Sequence, residues 1–380
     1  MLPPPRVAGL EDDDAIDRLI ATAPCTAAVF LLWPKEGAPY LGRTASLRRR
    51  VTRLLRRVNG PTPLLNLRAV ASRLEFWPTG SRLTSLLYAW ELGRRHFPDS
   101  YQRLLKLRMP AYVKLIRSHI FPRTHVTQRL TGGSARFFGP FRSRASAERF
   151  ESDVLDLFQI RRCQEDFDPS PEHPGCIYGE MNRCLRPCQQ VVGVDEYGGE
   201  VRRLEEFLAT AGASLLHAAA SARDRASEEL NFEEAARQHQ RLERIQQVLS
   251  SRDELTREIS RLDGVAVTPA AEPESLELWF LLGGAWSPPH PFELRSREGQ
   301  PISLDRRLHA LVAGAAPPRL GAGERQEHLA ILARWYYSSW RDGEWLPFEG
   351  LDKVPYRKLV NAIHRVVTGA AADPGPGLSR

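Results

Sequence analysis

Residues 26–55 read TAAVFLLWPKEGAPYLGRTASLRRRVTRLL, and the order of patterns inside them decides the fold. The apolar run Thr26–Trp33 is rich in strand formers. Pro34-Lys35-Glu36-Gly37 supplies a turn, and Tyr40-Leu41 begins a second short strand, so the pattern is a β-hairpin. Ser46 then stands where a helix N-cap belongs, because its hydroxyl can accept from an N–H that the first helical turn leaves without a partner. In the following SLRRRVTRLLRRV, Leu47, Val51, Leu54, Leu55 and Val58 fall on one helical face, while Arg49, Arg53 and Arg56 point away. Arg50 lies at the border between the faces, where its side chain can lean back over the hairpin. A third strand is expected over Ala69–Trp77, then a second helix from Ser81 to His96, stopped ahead of Pro98. This makes a small mixed unit of strands and helices at the head of the chain.

Charge is unevenly placed around that unit. Between Gly37 and Arg149 there are 23 Lys and Arg against 4 Asp and Glu, which leaves 30 basic and 42 acidic residues for the rest of a chain whose net charge is +7. Such a concentrated positive stretch is the electrostatic footprint expected of a polyanion-binding surface, DNA or RNA. The alternative is a solvated arginine-rich face. The chain has no apolar run of the ~20 residues needed to span a membrane. Its start, MLPPPRVAGLEDDDAIDRLI, lacks the basic-then-apolar build of a secretion signal. No membrane partner and a cytoplasmic location are therefore expected.

Four of the five cysteines, Cys163, Cys176, Cys184 and Cys188, fall within 26 residues in the spacing C-x12-C-x7-C-x3-C, and Cys25 stands apart. In a chain expected to be cytoplasmic this crowding argues for a metal site over a disulfide framework. Four thiolates suit one zinc ion or one iron–sulfur cluster; a ligand-free cysteine patch is the remaining reading. Helices are expected at Ala145–Phe158, and at Val201–Leu208 and Leu215–Glu229 as one interrupted helix. A further helix follows from Asn231, where Glu234 would complete a capping box. Phe232, Ala235, Leu242, Ile245 and Leu249 give that last helix an apolar stripe, so an antiparallel helical hairpin turns at Leu230-Asn231. A strand over Leu276–Leu282 and a helix over His328–Trp340 follow, the aromatic cluster of the latter being read as core. The tail AADPGPGLSR reads as disordered. The fold class is α+β.

Taken in this order, these pieces resemble the UvrC family of bacterial nucleotide excision repair over residues ~20–255. Ala28-Val29-Phe30 and Tyr40-Leu41-Gly42 sit where that family's GIY-YIG nuclease domain has its two signature triplets. Leu47-Arg48-Arg49-Arg50-Val51 matches its arginine-bearing helix, and Phe137-Phe138-Gly139-Pro140-Phe141 matches its YFGP segment. Cys184 and Cys188 lie in RCLRPC, similar to the family's RCLGPC. Leu230–Gln247 is similar to the UVR motif, L-x-F-E-x-A-A.

The resemblance implies a [4Fe-4S] cluster on the four cysteines, with zinc as the runner-up. It also implies DNA and the excinuclease protein UvrB as partners, the latter contacted by Leu230, Phe232, Glu233, Ala235 and Ala236. For the nuclease site it implies Tyr40, Arg43 and Arg50 as catalytic residues, with Mg2+ or Mn2+ needed only if the site is active. Two positions depart from the family. Phe30 replaces the tyrosine that would take part in proton transfer, and Ala89 stands at the place of the metal-holding glutamate. Glu91, a possible displaced ligand, lies two residues on, about 200° around the helix.

The expected organisation is a lead-in at 1–20, a degenerate GIY-YIG-type domain at 21–105 and a basic connecting segment at 106–150. A cysteine module at 151–194 and a helical hairpin at 195–255 follow. A C-terminal domain of unknown role at 256–367 and a tail at 368–380 complete it. The family's RNase H-like and helix-hairpin-helix domains are not expected in the ~130 residues after the hairpin. The function expected is DNA binding in nucleotide excision repair, with incision impaired or lost. An active metal-dependent, structure-specific endonuclease and an iron–sulfur, redox-responsive regulator of DNA binding are the alternatives.

Overall fold

The structure, a computed structural model, describes residues 2–57, 65–131, 135–293 and 303–369. The chain divides into two compact units. One comprises Met1–Arg108, Asp263–Arg319 and Arg334–Arg380, and the other Met109–Leu262 and Leu320–Ala333.

The first unit begins with β1 (Arg6–Gly9), α1 (Asp13–Thr22), β2 (Ala28–Pro34), β3 (Tyr40–Thr44), α2 (Leu47–Leu55), β4 (Ala71–Pro78), α3 (Arg82–His96) and the short α4 (Tyr101–Leu104). The strands form an antiparallel sheet in the order β1-β4-β2-β3. Ser46 and Ser81 cap α2 and α3, their hydroxyls accepting from the N–H groups of Arg49 and Thr84. The apolar face of α2 closes on β2 and β4, burying Leu47, Val51, Leu54 and Leu55 with Phe30, Leu32 and Leu74; Val58 lies outside the described residues. Residues 1–20, expected as a loose lead-in, instead supply β1 and α1. Asp12 caps α1 through the N–H of Ala15 at 2.6 Å, and Asp13 and Asp14 suit the positive end of its dipole. Only Ile16 and Leu19 of this helix are buried, an apolar stripe too short to stand out in the sequence.

The second unit contains β5 (Ala111–Ile116), β6 (Arg123–Thr127), β7 (Arg136–Phe141), α5 (Arg144–Leu155), α6 (Ile177–Glu180), α7 (Val194–Ala209), α8 (Ala213–Glu228), α9 (Phe232–Ser250) and β8 (Arg257–Glu258). The stretch read as a basic connecting segment is thus an antiparallel sheet, ordered β6-β5-β7-β8. Its inward residues Val113, Leu115, Val126 and Phe138 share one core with α5, α7, α8 and α9. Basic side chains such as Lys114, Arg123 and Arg136 are interspersed along these strands and mask the alternation in a composition count. The break expected between α7 and α8 falls at Ala211-Gly212, both at positive φ. A Cβ on Gly212 would come within 2.5 Å of Leu249, so glycine serves there both the backbone turn and the close approach of α9.

The chain then returns to the first unit with β9 (Asp263–Pro269), β10 (Ser275–Leu282), β11 (Ala285–Trp286), β12 (His290–Glu293) and α10 (Leu304–Ala313). α11 (Ala322–Tyr336) follows, its residues through Ala333 belonging to the second unit, and then β13 (Glu344–Phe348) and α12 (Tyr356–Thr368) in the first. The sheet order is β11-β10-β9-β13, with β12 also paired to β10. Together with α10 and α12 it encloses a core around Leu278, Phe280, Leu308 and Ile363. This C-terminal part does not stand apart from the N-terminal domain. Glu277 on β10 accepts from the Thr84 hydroxyl on α3 and from Trp279 Nε1 at 3.1 Å, and burial pushes its carboxyl pKa up. Asp342 accepts from the N–H of Arg82 at 2.6 Å. A Cβ on Gly80 would approach the Ala270 backbone to 2.1 Å, so only glycine lets the two segments meet this closely. The tail Ala371–Arg380 lies outside the described residues. Among the described residues no helix is long and apolar enough to cross a membrane.

Candidate nucleic-acid interface

The first unit carries a cleft of about 900 Å³. β3 lines it with Tyr40, Gly42 and Arg43, α2 contributes Arg50, and the start of α3 contributes Ser81, Arg82 and Ser85. Arg50 leans back over the hairpin and donates to the Tyr40 hydroxyl, while its buried Nε is left without an acceptor among the described residues. Arg43 makes no side-chain hydrogen bond among the described residues. Its pKa is pushed down, first by burial within the cleft walls and then by the guanidinium of Arg334. Phe30 is fully buried and turns its ring onto Gly42, where a Cβ would come within 2.3 Å of the ring. Its centroid is 6.0 Å from that of Tyr40, but the ring does not line the cleft. Ala89 does line it; Glu91 does not, and its carboxylate faces Arg95 at 3.5 Å one turn on.

A second groove, about 460 Å³, runs along the exposed face of α2 past Arg49, Arg53 and Arg56, and shares Thr44, Ala45 and Arg50 with the cleft. The two make a continuous cationic track. Guanidinium forks in such an arrangement have the geometry to bond phosphate oxygens. The cleft's carboxylate, Asp342, is engaged by the Arg82 N–H and, at 3.1 Å, by Trp335 Nε1.

The cysteines lie on loops of the second unit. Cys184 and Cys188 are buried, Cys163 is half-buried and Cys176 is exposed at the cap of α6. Burial pushes the Cys184 thiol up to about 11, and the charges of Cys163, Cys176 and Cys188 add to the rise. Beneath them Arg161 is 1% exposed. Its guanidinium donates to the carbonyls of Phe121 and Glu165 and, at 3.6 Å, to Cys163 Sγ, while among the described residues Nη2 has no hydrogen-bond acceptor and lies 3.6 Å from Asp166. A buried cation directed at a sulfur suits an anionic thiolate centre, so the donor types, though not their spacing in the structure, fit a thiolate-bound metal group. As they stand, no three or more His, Cys, Asp or Glu side chains among the described residues are gathered closely enough to hold a metal ion.

The hairpin of α8 and α9 turns at Leu230, whose φ of 58° is left-handed. Asn231 caps α9 through the Glu234 N–H at 3.2 Å, but the capping box is only half made. The Glu234 carboxylate turns to Arg237 and Gln238 instead, whose donors pull its pKa down. Leu242, Ile245 and Val248 are buried in the unit's core. At the tip, Leu230 is 71% and Phe232 70% exposed, with Glu233 and Ala236 exposed and Ala235 half-buried beside them. Two large apolar side chains left in water on one tip are what a partner surface would cover.

Residues 111–207 match the family model described as UvrC/Cho excinuclease, middle domain. They include β5, β6 and β7 of the second unit's sheet, the cysteine loops and most of α7. Over this segment the chain is similar to the UvrC family. It is 26% identical over 327 residues to UvrABC system protein C of Moorella thermoacetica, covering 84% of this chain and 53% of the relative. To that of Oleidesulfovibrio alaskensis it is 28% identical over 271 residues, 70% of this chain and 38% of the relative. To that of Rhodospirillum rubrum it is 25% identical over 313 residues, 80% and 48%. The chain spans about half the length of the curated relatives it matches, or less. No solved structure matches it.

Sequence reasoning missed the C-terminal contribution to the cleft. Arg334 at the end of α11, and Trp340 and Asp342 beyond it, line it together with Tyr40 and Arg43, with the guanidinium of Arg82 5.1 Å from the Trp340 ring. The cluster WYYSSW was visible as aromatic. Trp335 is core as expected, but nothing local in the sequence says that Trp340 faces a cleft built by residues 27–105.

Proposed function

We propose that this protein binds DNA in nucleotide excision repair, contacts UvrB through the hairpin tip, and has incision at the Tyr40–Arg50 cleft impaired or lost. The observation that carries this reading is the composition of the cleft. Arg43, Arg50, Arg82 and Arg334 line it, while Ala89 offers no ligand and Asp342 is held by two donors. Phosphodiester hydrolysis by a metal-dependent site needs a group to take the proton from water and a carboxylate to hold the metal. Phe30 has no hydroxyl and packs in the core, so the groups that grip phosphate remain while those that activate water are missing. The relatives' name, UvrABC system protein C, and the matched excinuclease domain support placement in that system.

The test is a nicking assay on duplex carrying a bulky lesion, with UvrB and Mg2+ or Mn2+ present, comparing the unmodified protein with Arg50→Ala. Equal, background-level cutting is expected from both. Robust cutting that disappears in Arg50→Ala would make this an active endonuclease, with Glu91 the next carboxylate to test as metal ligand.

Phe232→Ala should weaken capture of UvrB by about tenfold or more, as removal of an interface anchor does. The thermal midpoint should hold, because the ring is 70% exposed in the free protein. Unchanged capture would leave the tip without a role in this contact.

The four cysteines are proposed to carry a [4Fe-4S] cluster. Bound there, it would cross-link the loops through Cys163, Cys176, Cys184 and Cys188 and supply a redox-capable centre, with Arg161 as its buried counter-charge.

A further inference from the structure

The cleft poses an electrostatic problem that its own residues leave open. Arg43 lies under the field of Arg334, and Arg334 in turn under that of Arg108; burial and these like charges push the pKa of both cleft arginines down. Like charges placed together at reduced solvation are unfavourable unless an anion joins them. Asp342, the cleft's carboxylate, is turned to the Arg82 N–H and the Trp335 indole. Arg334 is anchored by one hydrogen bond, Nη1 to the Leu105 carbonyl at 2.6 Å, which leaves its other N–H groups without acceptors among the described residues. The chain thus holds two guanidinium forks lining one cleft, one from β3 and one from the end of α11, close enough that the charge of one acts on the other, with neither in an ion pair among the described residues.

We infer that Arg334 and Arg43 form a guanidinium clamp for one backbone phosphate of DNA, so that the C-terminal segment supplies by a side chain the positive charge a divalent cation would otherwise bring to this cleft. The inference rests on the DNA-binding reading above and adds to it a residue, a ligand atom and independence from metal. Arg50, already bonded to Tyr40, and Arg82, 5.1 Å from Trp340, border the clamp but are each occupied in part. The forks of Arg43 and Arg334 are the ones free to bond bidentately to phosphate oxygens.

The experiment titrates a fluorescein-labelled duplex oligonucleotide with the full chain in EDTA, at several salt concentrations. The unmodified protein should bind equally well with EDTA and with Mg2+. Arg334→Gln keeps a donor for the Leu105 carbonyl but removes the charge. It should weaken binding by about tenfold at low salt and reduce the slope of log K against log salt by about 0.9, the signature of one lost phosphate contact. Arg334→Lys should restore the slope, with affinity only partly recovered because the fork is gone. Arg43→Gln, which has no side-chain hydrogen bond to lose among the described residues, should show the same slope loss and guards against a folding effect at Arg334. A slope unchanged in both glutamine variants, or binding that collapses in EDTA, overturns the clamp while leaving DNA binding intact. Absence of binding by the unmodified chain overturns the DNA reading, and the clamp with it.

Discussion

Cys184→Ser should strip the protein of its iron, from about four atoms per chain after anaerobic purification to almost none. Cys184 is buried and its thiol is pushed up to about 11, first by burial and then by the three other cysteines of the quartet. Burial holds the Cys184 thiol protonated without a metal; a bound metal would take its ligands as thiolates, with Arg161, 3.6 Å from Cys163, as part of the balancing charge. Losing a buried ligand from a four-thiolate set leaves an open coordination position in a loop region with little secondary structure of its own, between α5 and α7. Cys25→Ser should retain full iron, since Cys25 is exposed and belongs to the other unit. The readouts are metal content and the visible absorbance of the brown protein. Stoichiometric zinc with no iron, from cells well supplied with iron, would assign the quartet to zinc. No metal of either kind in the unmodified protein would leave it a thiol patch.

DNA affinity should fall by about 10³-fold between roughly 50 and 200 mM salt, the loss expected for a protein that neutralises about six phosphates. The cleft and the α2 groove together present Arg43, Arg49, Arg50, Arg53, Arg56, Arg82 and Arg334. Ion pairs neutralise none of these seven among the described residues, whereas Arg57 and Arg68 nearby are tied to Asp13 and Asp17. The first group is available to phosphate and the second is structural. Reversing the outer groove with Arg49→Glu and Arg53→Glu should flatten the salt dependence as well as weaken binding. A flat dependence in the unmodified protein would mean that the positive stretch is a solvated face.

Much of this site was legible from residues 26–55. The hairpin, the Ser46 cap and the apolar stripe of α2 follow from local rules: strand formers, turn residues and a 3.6-residue period. Arg50 at the border of that stripe does reach back to Tyr40. The tip of the UVR-like hairpin was legible for the same reason, since Phe232 heads a stripe whose later members Leu242 and Ile245 find a core that the tip does not reach. Less legible were elements whose signal is short or diluted. α1 buries two residues, and β5 to β7 mix arginines and lysines with their apolar positions.

By itself the sequence determined the resemblance to the UvrC family, the local elements, the cysteine quartet and the positive balance of residues 37–149, because each depends on residue type and near-neighbour spacing. Only the tertiary structure decided that residues 263–293 and 334–368 close on the first domain. There Glu277 reaches Thr84, Asp342 reaches the head of α3, and Arg334 comes to line the same cleft as Arg43. Those contacts join residues 193 to 291 positions apart, as the numbering of the pairs shows. No periodicity or cap signal carries information over such a distance. It is set by which apolar faces remain to be covered once each segment has formed its own sheet, and the chemistry of the cleft is fixed at that step.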